Sequence, residues 1–385
     1  MQMGVVSHLP LIDAFYRSLF EVTGVVLAFI AIVIFVKLTK RFMRWEIAVS
    51  TTARFPSESG GLSAKTAARF DSEAIGDRTR KSVSSPLIAR LMLRRGIAVL
   101  WIFDALLQAQ PQMVTQGFVT GVLKMVQKDQ PAWLYQMMER GIVAWAHHPI
   151  AANIAAIYIQ LAVGCALLFA EPDTRMGKLG LWTSILWAVF IWVFGEGLGG
   201  ILTGRATYFG GSPGSAFFYA VIAALLLLPK RYWLSGKIAW LVRIGVGCYW
   251  LVAAAWQAAP SAAFYKPENL LPFFTTSAAM PQPTWLSAPI NVMVILISDH
   301  ASIVNTVFVV IMGAIGIGMI INRARIWVAG LAFFWLLFSW WTSMDFGIMG
   351  GLGTDPNTPP VVALLMAATW LRSPGVISRK HESPA

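Results

Sequence analysis

Acidic side chains are scarce in this chain. There are 18 Asp and Glu against 30 Lys and Arg in 385 residues, and charged residues of every kind make up only 12%. Soluble globular chains carry about 25%. With 57% apolar residues as well, a water-soluble globule is excluded and a polytopic membrane protein is expected. Cysteine is nearly absent too: Cys165 and Cys248 fall in separate apolar runs. That excludes a disulfide framework and a C-x-x-C redox pair, and it casts both as small buried hydrophobes. A GxxxxGK[ST] phosphate loop and a C-x-x-C-H haem attachment are also lacking, and no metal ligand set is assigned. The net charge of +12 does not indicate nucleic acid, because the basic residues gather between apolar runs rather than along one face.

What is abundant is apolar sequence in runs of roughly 20 residues, enough to cross a bilayer. Nine such runs are expected, near 18–38, 96–112, 150–170, 179–195, 215–229, 238–259, 301–321, 326–344 and 360–371. The fold class expected is therefore all-α, with about nine transmembrane helices. Asp13 and Glu21 precede the first run and Lys37, Lys40, Arg41 and Arg44 follow it, so it reads as a retained helix rather than a cleaved signal. Basic residues recur after the fifth run (Lys230, Arg231, Lys237), the seventh (Arg323, Arg325) and the ninth (Arg372, Arg379, Lys380). Nine spans put all of these on one side. The positive-inside rule makes that side cytoplasmic, with the N-terminus outside, the C-terminus inside and the plasma membrane as location.

The order along the chain is then an N-terminal helix at 1–45, a basic cytoplasmic linker at 46–93, two membrane modules at 94–236 and 237–372, and a tail at 373–385. The modules resemble each other. Arg94, Gly96, Trp101, Gln108 and Pro111 return as Arg243, Gly245, Trp250, Gln257 and Pro260 at a constant offset of 149. His148, Asn153 and Gly164 return as His300, Asn305 and Gly316 at an offset of 152. Trp192 is matched with Trp341, and Ser212-Pro213-Gly214-Ser215 with Asp355-Pro356-Asn357-Thr358. Four spans per unit is an even number, so a tandem parallel repeat of a four-helix bundle is expected. The stretch between Met113 and His147 has apolar residues at helical spacing and reads as amphipathic helix capping the outer mouth.

Polar residues in or beside membrane spans are costly and mark candidate sites. Three matched pairs fall at the outer ends of spans: Gln108 and Gln257, His148 and His300, Glu196 and Asp345. Asp104 lies midway along its span, its counterpart is Ala253, and Gln160 or Tyr158 is its expected partner. Glu196, His148 and Asp104 are the candidate catalytic residues. Gln108, Trp192, Gln257, His300 and Asp345 are the candidate substrate- or quinone-binding residues. A His, a carboxylate and an amide at one bundle end can bind a metal, or can hydrogen-bond a quinone carbonyl and move its proton.

The four-span unit that opens on an Arg and a Gly (Arg94, Gly96; Arg243, Gly245) and closes in a Gly-rich, Pro-containing turn resembles the DoxX/DoxD group of small membrane proteins. The resemblance covers about residues 94–372 as two fused copies. It implies a redox-associated membrane subunit handling a quinone or a small reductant, of the thiosulfate:quinone kind, at the extracytoplasmic face, with the lipid bilayer and other membrane redox subunits as partners. Two other classes stay open on the residues alone. One is a small-solute or ion transporter, suggested by the parallel repeat and Asp104. The other is an assembly or scaffold subunit of a membrane complex.

Overall fold

The computed structural model describes residues 9–28, 30, 85–322, 325–349 and 352–370. The linker expected at 46–93 lies outside the described residues up to 84, as do the tail, the basic cluster from Lys37 to Arg44, and Arg323. The chain divides into two units, residues 1–83 and 84–385. In the first, residues 9–28 form helix α1. It starts earlier than the apolar run predicts because Leu11, Phe15 and Leu19 extend the helical spacing upstream.

The second unit is helical, with no strand among the described residues. Its helices are α2 (Ser85–Gln108), α3 (Ala132–His147), α4 (Pro149–Phe169), α5 (Arg175–Phe194) and α6 (Ser215–Leu227). Then come α7 (Lys237–Ala258), α8 (Pro267–Ala279), α9 (Thr284–Ile321), α10 (Arg325–Thr342) and α11 (Thr358–Trp370). Five of them, α4, α5, α7, α9 and α10, are long and apolar enough to cross a membrane. Their outward faces carry large apolar side chains such as Leu186, Ile303 and Phe333, as a lipid environment requires.

The other runs fall short of that standard for physical reasons. Helices α6 and α11 are apolar but only 13 residues long, about 20 Å at 1.5 Å per residue against about 30 Å of hydrocarbon. Both are buried among other helices along most of their length. Helix α2 has the length, but it carries Arg90, Arg94, Arg95 and Asp104.

Three local devices build each half. Arg94 Nη1 donates to the carbonyls of Leu167, Leu168 and Ala170 at the end of α4, the shortest at 2.7 Å. Arg243 Nη1 does the same for Met319 and Ile320 at the end of α9, at 2.6 and 2.7 Å. A helix C-terminus leaves four carbonyls without partners and carries partial negative charge, so a guanidinium there answers both. Next, Gly164 lets α4 approach the α2 backbone at Ala98, and Gly316 lets α9 approach α7 at Gly247; a Cβ at either would meet a carbonyl oxygen. Finally, Gln108 Nε2 donates to Asn153 Oδ1 at 2.6 Å while Asn153 Nδ2 donates to the Gln108 carbonyl at 3.0 Å. Gln257 and Asn305 repeat that exchange at 2.6 and 3.1 Å. The arginines and amides that recur in the sequence therefore recur as helix caps and helix clasps.

The two cysteines do not fit the sequence expectation. Cys165 on α4 and Cys248 on α7 are free and exposed, lying on the outward helix faces where a small apolar thiol meets lipid at no cost.

Candidate functional site

The site begins with a chain reversal. After α5 the backbone runs through Gly197, Leu198, Gly199 and Gly200 with φ between +54° and +69°, a left-handed stretch that glycine adopts cheaply and leucine does not. Gly199 lies against the Pro213 backbone, where no Cβ would fit. Trp192 Nε1 donates to the Pro213 carbonyl at 2.7 Å, and Ser212 Oγ donates to the Gly199 carbonyl at 2.7 Å. The loop is thus folded onto itself, and it fixes Glu196 at the start of α6. There Glu196 Oε1 accepts from Ser215 Oγ at 2.7 Å and from the Ala216 N–H at 3.1 Å, a carboxylate set on the positive end of a helix.

Glu196 lines a cavity of about 660 Å³, as do Asp104 and Gln108. Asp104 is 2% exposed and accepts from the Tyr219 hydroxyl at 3.4 Å; the partner is Tyr219, not Gln160 or Tyr158. Gln160 lines the cavity from α4, and its Oε1 is buried with no hydrogen-bond partner. The walls are largely apolar and aromatic, among them Trp101, Trp145, Trp187 and Phe190. Pockets of about 300–1,000 Å³ with apolar walls and a few convergent polar groups are the usual form of small-ligand sites.

A third carboxylate enters from the far end of the chain. Thr354 and Asp355, just before α11, line the same cavity, and Asp355 reaches the Ser215 hydroxyl that also serves Glu196. A serine hydroxyl has one proton to donate. It satisfies one carboxylate, so the pair is relaxed only when the other carries a proton. Burial first, and the neighbouring Asp355 charge second, push Glu196 up to about 8; burial raises Asp355 as well. Asp355 is the functional residue that sequence reasoning missed. The signal was there, an acid where the matching turn has Ser212.

The other candidates lie elsewhere. His148 and His300 are exposed and stand at corners, with φ/ψ of −132°/51° and −138°/36°, where an incoming helix breaks and the span begins. Neither lines the cavity; the pair recurs because the corner recurs. Gln257 is fully buried and committed, its Oε1 accepting from Thr207 Oγ1 at 2.5 Å. Trp192 pins the loop rather than walling the pocket.

Asp345 is not the counterpart of Glu196. Trp340 Nε1, not Trp341, donates to the Pro356 carbonyl at 2.7 Å. The positive-φ series Asp345, Phe346, Gly347 (50°, 56°, 68°) superposes in order on Gly197, Leu198, Gly199. Met344 therefore occupies the position of Glu196, and the Gly347 N–H donates to its carbonyl as that of Gly199 does to Glu196. Asp345 is half-buried next to Ser277, and burial raises its carboxyl.

In the C-terminal half the matching space is filled. Phe308 stands where Ala156 stands in the other half, with ring centroids 4.6 Å from Phe209, 5.3 Å from Trp335 and 6.2 Å from Phe338. Phe209 and Tyr208 come from the first glycine loop, and Tyr208 shares a 2.7 Å hydrogen bond with Ser339. Each half thus lends a loop to the other.

Among the described residues no group of three or more His, Cys, Asp or Glu side chains is placed to hold a metal ion. No protein-family model, no curated protein and no solved structure matches this chain.

Proposed function

We propose that this chain is a redox-associated integral membrane subunit that takes a quinone head group into the cavity of its N-terminal bundle and manages the protons of that quinone. The arrangement proposed is nine spans, with two like-oriented four-helix bundles of the DoxX/DoxD kind and the cavity at the extracytoplasmic face of the plasma membrane. The observation that carries the reading is the gathering of Asp104, Glu196 and Asp355 around one aromatic-walled cavity. Aromatic walls suit a flat ring. Protonated carboxyls donate hydrogen bonds to carbonyl oxygens, and general acids of this kind move protons in step with electron transfer.

A quinone becoming a quinol takes up two electrons and two protons. Asp104 and Glu196 serve as the proton donors; the ionised Asp355, linked to Glu196 through Ser215, favours the protonated form of Glu196, and both donors regain their protons from water after the quinol leaves. The electrons come from a small reductant, such as two thiosulfates joining to tetrathionate, or from a partner redox subunit. Carboxylates repel an oxyanion, so the reductant works from outside the cavity. The test is quinone binding by the purified protein, read as quenching of tryptophan fluorescence, together with thiosulfate-driven quinone reduction in membranes. Wild type should show both; absence of quinone binding overturns the reading.

The second reading is a small-solute transporter, favoured by an intramembrane carboxylate at the floor of a cavity. Proteoliposome uptake abolished by Asp104→Asn would support this reading.

A further inference from the structure

On the side of the helix ends the cavity is covered mainly by apolar side chains, with the exposed Arg140 and Ala144 of α3 at its edge. Between α4 and α5 it is lined by apolar side chains of two candidate spans. The cover is made by α3 through Met138, Ile142 and Trp145, and by Phe118 and Leu123 of the preceding turns. Four of these five are buried and Trp145 is partly so, and Gly141 of α3 packs directly on Phe194 at the end of α5. Sideways, α4 and α5 touch closely where Gly180 faces Ala166. Between them the cavity is lined by Ala155 and Ile159 of α4 and by Trp187 and Phe190 of α5.

Ala155 and Phe190 are exposed, and Ile159 and Trp187 half-buried against the core, on two helices that qualify as membrane spans. Phe190 is 48% exposed, in line with Leu186 and Val189, which present apolar surface on the same helix. Ile159 lies ten residues into α4, about 15 Å along the axis. The slot therefore runs from one end of the span to about half of the depth of the hydrocarbon.

We propose that the ligand of this cavity is a membrane-dissolved amphiphile with a long apolar tail, which enters sideways from the bilayer between α4 and α5 and leaves its tail in that slot while its head group reaches the carboxylates. Only the identity of the head group rests on the quinone reading; the route and the tail do not. A water-borne ligand would have to pass the mostly apolar cover of α3 beside Arg140, whereas a lipid-borne one displaces only acyl chains from a slot that already faces them. Between α9 and α10 the rings of Phe308 and Phe338 lie 6.2 Å apart, filling the space that Ala156 leaves open in the N-terminal half.

The experiment uses the full chain in lipid nanodiscs with two photoreactive probes, each with a diazirine at the end of a ten-carbon tail. One has a benzoquinone head and the other a trimethylammonium head. Labelled peptides are mapped by mass spectrometry, and tail-less benzoquinone binding is followed separately by tryptophan quenching. The expected result is labelling by the quinone probe concentrated on 155–163 and 186–194. Ala155→Trp, which places an indole in the slot from an exposed position, should lower it at least fivefold relative to labelling of the other lipid-facing helices by the same probe. Ile159→Trp should do the same, guarding against a local folding fault in the first variant.

If both probes label the slot equally, and tail-less benzoquinone does not bind, the lateral entry stands and the quinone reading falls. If tail-less benzoquinone binds but the tail labels α3, or labels lipid-facing helices no less than the slot, the lateral entry is overturned and the quinone reading stands. Slot labelling unchanged in both tryptophan variants, or no preferential labelling by either probe, overturns the proposal.

Discussion

The N-terminal and C-terminal helices of this molecule make several of the same local contacts and differ in what they enclose. Both have the arginine cap, the glycine crossing, the reciprocal Gln–Asn clasp and the histidine corner. The large cavity described above lies among the N-terminal helices, with Thr354 and Asp355 reaching it from the C-terminal half. The positions that line it, Asp104, Ala156, Gln160 and Glu196, are matched in the other half by Ala253, Phe308, Met312 and Met344. Each polar group became apolar and the key small residue became large, so the space was filled and its charge removed together. The difference separates parts that hold a bundle up from parts that make it bind. A feature present in both halves is explained by folding; a feature present in one needs another explanation.

The largest expected effect comes from making the N-terminal half resemble its neighbour. Ala156→Phe copies Phe308 into the cavity wall and should reduce quinone binding at least 100-fold in a quenching titration. The over-packing should cost about 1–3 kcal/mol of stability, and binding that survives intact would show that the cavity is not the site. Removing the proton donors comes next. Asp104→Asn and Glu196→Gln keep shape and should each lower quinone reduction by about 100-fold or more, the range for a lost general acid, while binding of the tail-less ring falls far less.

The reverse experiment is Phe308→Ala, which opens the C-terminal half. It should cost about 3–5 kcal/mol in thermal or denaturant unfolding and create no second site, because Ala253 and Met344 carry no proton. Smaller again is the effect of cutting a cap. Arg243→Ala should cost about 1.5–3 kcal/mol, the value of hydrogen bonds from a charged group.

The smallest effect is a pH slope. Glu196 ordinarily titrates near 4.5 and in the folded protein near 8. Between those values the folded state holds a proton that the unfolded state has released, so stability falls as pH rises through that window. Glu196→Gln should flatten that slope in melting curves recorded from pH 4.5 to 8, and an unchanged slope would assign it to another group.

Much of the scaffold was legible in the sequence because it rests on local rules. Apolar runs mark helices, an arginine just inside a helix seeks a carbonyl end, and residues that recur at a fixed offset recur in structure. The site was legible only in part. Asp104, Glu196 and Gln108 were chosen for being polar beside spans, and they converge on one cavity. His148 and His300 were chosen on the same grounds and stand outside it, because recurrence alone does not distinguish a ligand from a corner. The pairing of Glu196 with Asp345 was off by one residue. Identity of residue type favoured the acid, whereas the backbone dihedrals and the Trp340 hydrogen bond place Met344 there.

By itself the sequence determined that this chain is helical and membrane-grade, where most of its helices run, and which arginines, glycines and amides its halves share, since each follows from hydrophobicity and periodicity within a few turns of chain. Tertiary structure alone decided that Asp355 joins Glu196 across about 160 residues of sequence, that Phe209 crosses into the other bundle, and that one half stays hollow while the other fills. Those outcomes depend on which side chains from distant segments compete for the same volume, and no local pattern encodes that competition.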